Sequence, residues 1–256
     1  MDLGLGGKVA VVTGASRGIG RAIVEELIAE GVSVVAGARD VTALADLEGV
    51  LAVRVDLSQP GGPAALVAAA TDSHGGVDLL VNNVGAGRLH FDGVASTTDD
   101  DWQWAFEINL FSAVRAVRAA LPHLLERRGA IVNVSSLNAR IPAVEAPEYS
   151  AAKAALNSFS RSLAIELAPS GVRVNIVSPG PVLTDMQTGS GGVAEEVAAA
   201  TGGTIADYIA DVESAVPLGR FADPNEIASA VVALLSERFS YVTGADLAVD
   251  GSTQAG

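Results

Sequence analysis

Seven short runs rich in valine, isoleucine and leucine, each set apart from the next by a longer stretch, constrain this chain more than any other feature. The runs fall at 9–12, 33–36, 51–55, 78–81, 130–134, 172–177 and 246–249. They are close to continuously apolar, which is the pattern of strands covered on both faces, whereas a sheet with one wet face alternates apolar with polar residues. Between them, 18–30, 60–74, 99–127, 149–168 and 224–237 are amphipathic or alanine-rich and long enough to be helices. Strands and helices in this alternation predict an α/β domain, a doubly wound sheet of seven mainly parallel strands with helices on both faces. With 49% apolar and 18% charged residues, the 256-residue chain can fill one such core. No linker-like stretch and no repeat divides it, so residues 1–256 are read as a single domain.

One segment departs from the pattern. Residues 185–218 carry glycine clusters at 189–192 and 202–203 around two weak helical patterns at 193–200 and 205–215. Following a strand end, where open α/β sheets bind ligands, the segment is expected to be a substrate lid. A plain surface excursion is the competing reading.

Charge narrows the partners. A formal charge of -14 disfavours a phosphate backbone, because binding to nucleic acid rests on clustered Lys and Arg. The chain has no cysteine, so neither a disulfide nor a thiolate-bound metal holds it together. No run reaches the roughly 18 apolar residues of a membrane span. A soluble, cytoplasmic protein acting on a small molecule is expected.

The first strand runs into Thr13-Gly14-Ala15-Ser16-Arg17-Gly18-Ile19-Gly20, followed at once by a helix-forming stretch. Glycines there let the backbone turn tightly and approach a pyrophosphate at the helix N-terminus. A glycine-rich turn between strand and helix is a dinucleotide signal, and the spacing is not that of a triphosphate-hydrolysing loop. A second pair draws attention: Tyr149 and Lys153 lie four residues apart, which on a helix brings their Cβ atoms to about 5–6 Å. A close cation favours the phenolate and moves it towards a useful range, although an ordinary solvated helix face offers the same spacing.

Those two features are joined in order by Asp56 after the third strand, Asn82-Asn83-Val84-Gly85 after the fourth, Asn109 in the long central helix, and Ser136 thirteen residues before Tyr149. With these motifs the chain resembles the classical short-chain dehydrogenase/reductase family over essentially its whole length. Pro179-Gly180 with Thr184, and 244–251, extend the match, while Val84 stands where the family usually has alanine. The resemblance implies a Rossmann-type fold. It implies that Tyr149 is the general acid in carbonyl reduction, or the base in alcohol oxidation, and that Lys153 lowers its pKa and bonds the nicotinamide ribose. Ser136 would orient the substrate oxygen; only the resemblance prefers it to Ser135. Asn109 would help hold a water linking Lys153 to solvent.

For the cofactor, the resemblance implies Gly14, Ser16, Arg17, Gly18, Ile19 and Gly20 at the pyrophosphate turn, Asp56 at the adenine amino group and Asn83 on the adenosine ribose side, with Leu57 and Gly85 also in the cofactor site. Val182 and Thr184 would meet the nicotinamide carboxamide after the turn of Pro179 and Gly180, which also belongs to the cofactor site. Enzymes that prefer NAD place an acid at the end of the second strand. By the resemblance Ala38 takes that position, Arg39 follows and Arg17 lies in the turn, so two guanidinium groups would clamp a 2'-phosphate. NADP(H) is therefore expected, with NAD(H) possible if Asp40 reaches the ribose.

The expected activity is NADP(H)-dependent interconversion of a carbonyl and a secondary alcohol. NAD-dependent oxidation of a secondary alcohol is the alternative, and a non-catalytic nucleotide sensor a further one. The substrate pocket would draw on Arg88, His90, Phe91, Leu137, Asn138, Val144, Glu145 and Met186, a mixed lining. The general pattern is nearest to the 3-oxoacyl carrier-protein reductases, but 142–148 lacks the Gly-Gln-Ala-Asn lead-in common before their tyrosine. The family's habit implies a homotetramer built on the helices of Asn109 and Tyr149. His74, His90 and His123 have no metal-ligand spacing, so no metal is expected. Asp99, Asp100 and Asp101 are read as capping a helix, with Arg127 and Arg128 complementing its other end.

Overall fold

A computed structural model describes residues 2–255. The strands are β1 (Val9–Thr13), β2 (Ser33–Ala38), β3 (Val50–Arg54), β4 (Leu79–Asn82), β5 (Ala130–Val134), β6 (Arg173–Pro179) and β7 (Asp246–Val249). They form one seven-stranded sheet in the order β3-β2-β1-β4-β5-β6-β7, and every neighbouring pair is parallel. The expected strands are all present, and the sheet is fully rather than mainly parallel.

Alternate residues of each strand feed two cores. On one face Ala10, Val12, Val34, Ala36, Val81 and Val132 pack under α1 (Gly18–Ala29), whose Ile23 and Leu27 are buried, with the C-terminal-most long helix lying beside it. On the other, Val9, Val11, Val35, Leu80, Ile131 and Val174 meet Leu66 of α2 (Gly62–His74). Covering both faces is what makes continuous apolar strands affordable in water, and the order reverses between β1 and β4. That reversal opens a crevice at the carboxyl ends of these two strands.

The expected single helix over 99–127 is instead α3 (Asp99–Phe106), a π turn (Glu107–Phe111) and α4 (Ser112–Arg127). The cause is Asn109: its Nδ2 donates to Ala105 O four residues back at 2.9 Å and to Ala86 O at 2.8 Å, drawing a side chain into the helical ladder. Thr98 and Asp101 form a capping box at the start of α3, so one carboxylate of the acidic triplet does cap as expected.

Helix α5 (Pro147–Leu167) starts on a proline at its first position, where the missing N–H costs nothing. The 185–218 segment folds as α6 (Asp185–Thr188), α7 (Val193–Thr201) and α8 (Ile205–Ala215), tied together by Tyr208 Oη donating to Gln187 Oε1 at 2.6 Å. Last, α9 (Pro224–Leu235) packs beside α1 and buries Ile227, Val231 and Leu235. Among the described residues, no helix is long and apolar enough to cross a membrane.

Candidate active site

The crevice between β1 and β4 is laced from both sides. Thr13 Oγ1 accepts from the N–H of Asn83 (2.9 Å) and of Val84 (3.1 Å), while Asn83 Nδ2 donates to the carbonyls of Thr13 (3.1 Å) and Gly14 (3.0 Å). Asn83 therefore braces the glycine turn with the amide that the resemblance assigned to a ribose. Gly14 adopts φ +65, and a Cβ there would lie 2.9 Å from Val84 Cα; one on Gly20 would lie 2.1 Å from Gly14 O. Only glycine permits this turn. Helix α1 begins with no side-chain cap on Arg17, leaving its first N–H groups for a phosphate. The cradle fits a dinucleotide.

Beyond the turn, Ala38 is buried at the end of β2, and Arg39 and Arg17 are exposed. Neither arginine forms an ion pair among the described residues. Asp40, the residue that would favour NAD, is committed to Thr42, accepting from its N–H at 2.9 Å and its hydroxyl at 2.7 Å. Asp56 accepts from Ser58 Oγ (2.7 Å) and N (3.0 Å); these bonds, with Arg39 adding a smaller push, hold its carboxyl below the usual range. Leu57 is buried behind it. Arg54, which sequence reasoning missed, pairs in register with Ala38 and adds a third cation at this edge. Its only signal was its place at a strand end.

Ser136 and Tyr149 meet at the carboxyl end of β5. Ser136 Oγ accepts from Asn138 N at 3.1 Å and sits beside the Tyr149 hydroxyl, whose pKa it lowers. Ser135 is buried with its hydroxyl unpartnered, whereas Ser136 lies beside the phenol. One turn on from Tyr149, Lys153 Nζ donates to Val134 O at 3.0 Å and lies 5.8 Å from the phenol ring centre.

The electrostatics correct an expectation. Burial raises the Tyr149 pKa, with the Ser136 hydroxyl opposing it, even though part of the ring still reaches solvent. Burial also lowers Lys153 to about 8. The anticipated depression of the phenol by the lysine is absent because both groups leave water and the ammonium is directed at Val134 rather than at the phenol.

Gly85 explains how these groups approach. A Cβ on it would lie 3.0 Å from Asn109 Oδ1 and 3.1 Å from Lys153 Nζ. Asn109 is buried, and besides its bonds to Ala86 O and Ala105 O its Oδ1 accepts from Ala86 N at 3.1 Å. It grips the segment after β4 at the point where Gly87 faces the Tyr149 ring. Ala86 and Gly87 were not anticipated, since neither carries a polar side chain. On the far side, Pro179 ends β6, Gly180 packs on Asp250, and Val182 is buried. Thr184 stands at the start of α6 without a side-chain capping bond, and its Cγ2 lies 3.1 Å from where a Gly18 Cβ would stand, so the two halves of the cradle touch.

Of the expected pocket lining, Phe91, Val144 and Met186 are exposed apolar side chains. Arg88 is drawn away, stacked 4.2 Å over the Trp104 ring and paired with Asp101. The three histidines stay apart, and no group of residues suited to a metal ion occurs among the described residues.

Known proteins resemble this chain over nearly its whole length. The model of the family described as Enoyl-(Acyl carrier protein) reductase matches residues 14–253. The 3-oxoacyl-[acyl-carrier-protein] reductase of Vibrio cholerae is 37% identical over 97% of this chain and 98% of its own. A 3-alpha-(or 20-beta)-hydroxysteroid dehydrogenase of Mycobacterium tuberculosis is 36% identical, covering 98% and 90%. Among solved structures, L-sorbose reductase from Gluconobacter frateurii, complexed with NADPH and L-sorbose, superposes with a TM-score of 0.89 at 38% identity over 98% of both chains.

Proposed function

Because the chain belongs to the classical short-chain dehydrogenase/reductase family, an NAD(P)-dependent oxidoreductase family, we propose that it interconverts a carbonyl and a secondary alcohol with NADP(H), using Tyr149 as general acid and base. The observation that carries this reading is the convergence of Ser136, Tyr149, Lys153 and Asn109 beside the glycine cradle. When bound, the nicotinamide supplies the hydride for reduction or accepts it in oxidation. Ser136 Oγ holds the substrate oxygen, and Tyr149 Oη gives it a proton as the carbonyl is reduced. Lys153, beside solvent-excluded Val134, stands one turn away to return that proton, and Asn109 keeps the wall of the site in place; the water relay implied by the resemblance is part of this proposal.

NADP(H) over NAD(H) is supported by Arg17 and Arg39 without carboxylate partners, by Ala38 in place of an acid, and by Asp40 being held by Thr42. It is also supported by the NADPH held by the L-sorbose reductase that this chain resembles. The 185–218 segment is proposed as the lid, since Thr184 leads from the cradle directly into α6. A homotetramer is proposed as well, supported by exposed apolar residues on the helices it would use, Ile165 on α5 and Leu125 on α4 with Phe111 in the preceding π turn, and light scattering tests it.

The test of the mechanism is Tyr149→Phe. Turnover should fall by about a thousandfold or more, the scale of a positioned acid with its hydrogen-bonding role, while NADPH binding measured by calorimetry is kept. A variant that still turns over at an undiminished rate would overturn the proposal.

A further inference from the structure

Glu148 stands immediately before Tyr149 in the first turn of α5 and is wholly buried, at 0% exposure. Neither of its carboxylate oxygens has a hydrogen-bond donor. Among the described residues its one titratable neighbour within ion-pair distance is His90, whose Nε2 lies 3.4 Å from Oε1 and is itself without a hydrogen bond. The surrounding charges are engaged elsewhere: Arg88 with Asp101, Glu107 with Arg115, Arg140 with Asp246, and Lys153 with Val134.

His90 belongs to the segment that leaves β4. Its N–H donates to Glu145 O at 2.7 Å, which fastens the segment to the approach of α5. Three residues earlier on the same segment, a Cβ on Gly87 would lie 3.4 Å from Cδ2 and Cγ of Tyr149. His90 and Gly87 therefore move with one short piece of backbone, one end beside Glu148 and the other against the phenol.

A carboxylate taken fully out of water with no donor is costly, and such a group in a native structure calls for a cause. Packing alone does not supply one, since an apolar residue of similar volume would fill the place better. A separation of 3.4 Å is a small shift from a hydrogen bond of about 2.9 Å. Hydrogen bonds of unliganded active sites are often long and tighten in the complex.

We propose that Glu148 and His90 are a positioning pair that closes when substrate enters the cleft, drawing the segment from Gly87 to His90 against Tyr149 and fixing the phenol for proton transfer. Neither residue touches the reacting atoms, and the inference rests on the reading of Tyr149 as the acid.

The test compares wild type with Glu148→Leu, Glu148→Gln and His90→Phe in three measurements: NADPH oxidation with L-sorbose, cyclohexanone and an acetoacetyl thioester as probes, NADPH affinity by calorimetry, and Tm. Leucine fills the volume without an acceptor, and because neither carboxyl oxygen of Glu148 has a donor its removal breaks no hydrogen bond. Glu148→Leu should keep its Tm and NADPH affinity while kcat falls at least about tenfold, and Glu148→Gln, which retains an acceptor, should recover most of the loss. His90→Phe carries the same expectation from the other side of the pair should the leucine variant not fold. A kcat within about twofold of wild type in Glu148→Leu or His90→Phe, or a glutamine variant no better than leucine, overturns the pair as a positioning device. If Tyr149→Phe oxidises NADPH with these probes as fast as wild type, the reading of Tyr149 fails and the inference falls with it.

Discussion

Lys153 Nζ donates a 3.0 Å hydrogen bond to the main-chain oxygen of Val134, so the ammonium on α5 is directed at the end of β5 from within the protein. That buried position lowers its pKa from 10.5 to about 8. Between those two values the unfolded chain binds the proton more readily than the folded one, so stability from this group rises with pH across the window and is lost again on descending through it. Urea unfolding of the cofactor-free protein should show a gain on the order of 2 kcal/mol between about pH 7.5 and 9.5 relative to Lys153→Met, which lacks the group. Parallel pH dependences for the two proteins would refute the assignment.

Gly85 separates two groups that a side chain would push apart. A Cβ there meets Asn109 Oδ1 at 3.0 Å and Lys153 Nζ at 3.1 Å, whereas one on Gly87 meets the Tyr149 ring at an ordinary 3.4 Å. Gly85→Ala obliges Asn109 and Lys153 to give by a few tenths of an ångström and should lower kcat by about tenfold, short of the hundredfold of a 1 Å misplacement. Gly87→Ala should be milder by an order of magnitude or so. Steady-state kinetics of the two variants side by side checks the contrast.

Cofactor preference should reside at the end of β2. Arg39→Ala removes a guanidinium from the 2'-phosphate side and should raise KM for NADPH about tenfold, with KM for NADH little changed. Adding Ala38→Asp should reverse the preference, because its carboxylate would bond a ribose hydroxyl and repel a phosphate. Equal effects on both cofactors would place the phosphate elsewhere.

Asp246 ties the loop beyond Ser136 to the sheet. Its carboxylate, 5% exposed, accepts from Ser178 Oγ (2.7 Å) and Asn157 Nδ2 (3.0 Å) and pairs with Arg140 (2.7 Å) and Arg161 (3.0 Å). Asp246→Ala leaves those donors unpaired and should cost about 2–3 kcal/mol, less than a fully buried pair because both arginines reach solvent. Thermal unfolding measures the loss. Arg140 lies four residues after Ser136, so kcat should fall as well.

Much of the fold was legible because its determinants are local. Continuous apolar runs name the strands of a covered sheet, and the Thr13 to Gly20 turn names its ligand through glycines whose conformation few other residues adopt. The order of Asn109, Ser136, Tyr149 and Lys153 was readable too. What those residues experience was not. The π turn at Asn109 depends on Ala86, 23 residues away, and the choice of Ser136 over Ser135 depends on where the phenol comes to lie. The direction of the Tyr149 and Lys153 shifts depends on desolvation, and the Glu148 and His90 contact joins segments 58 residues apart. Sequence by itself determined which groups the protein possesses and which backbone holds them, since propensity and patterning act over a few residues. Tertiary structure alone decided their protonation and mutual placement, because burial and long-range contact exist only once the sheet has closed around them.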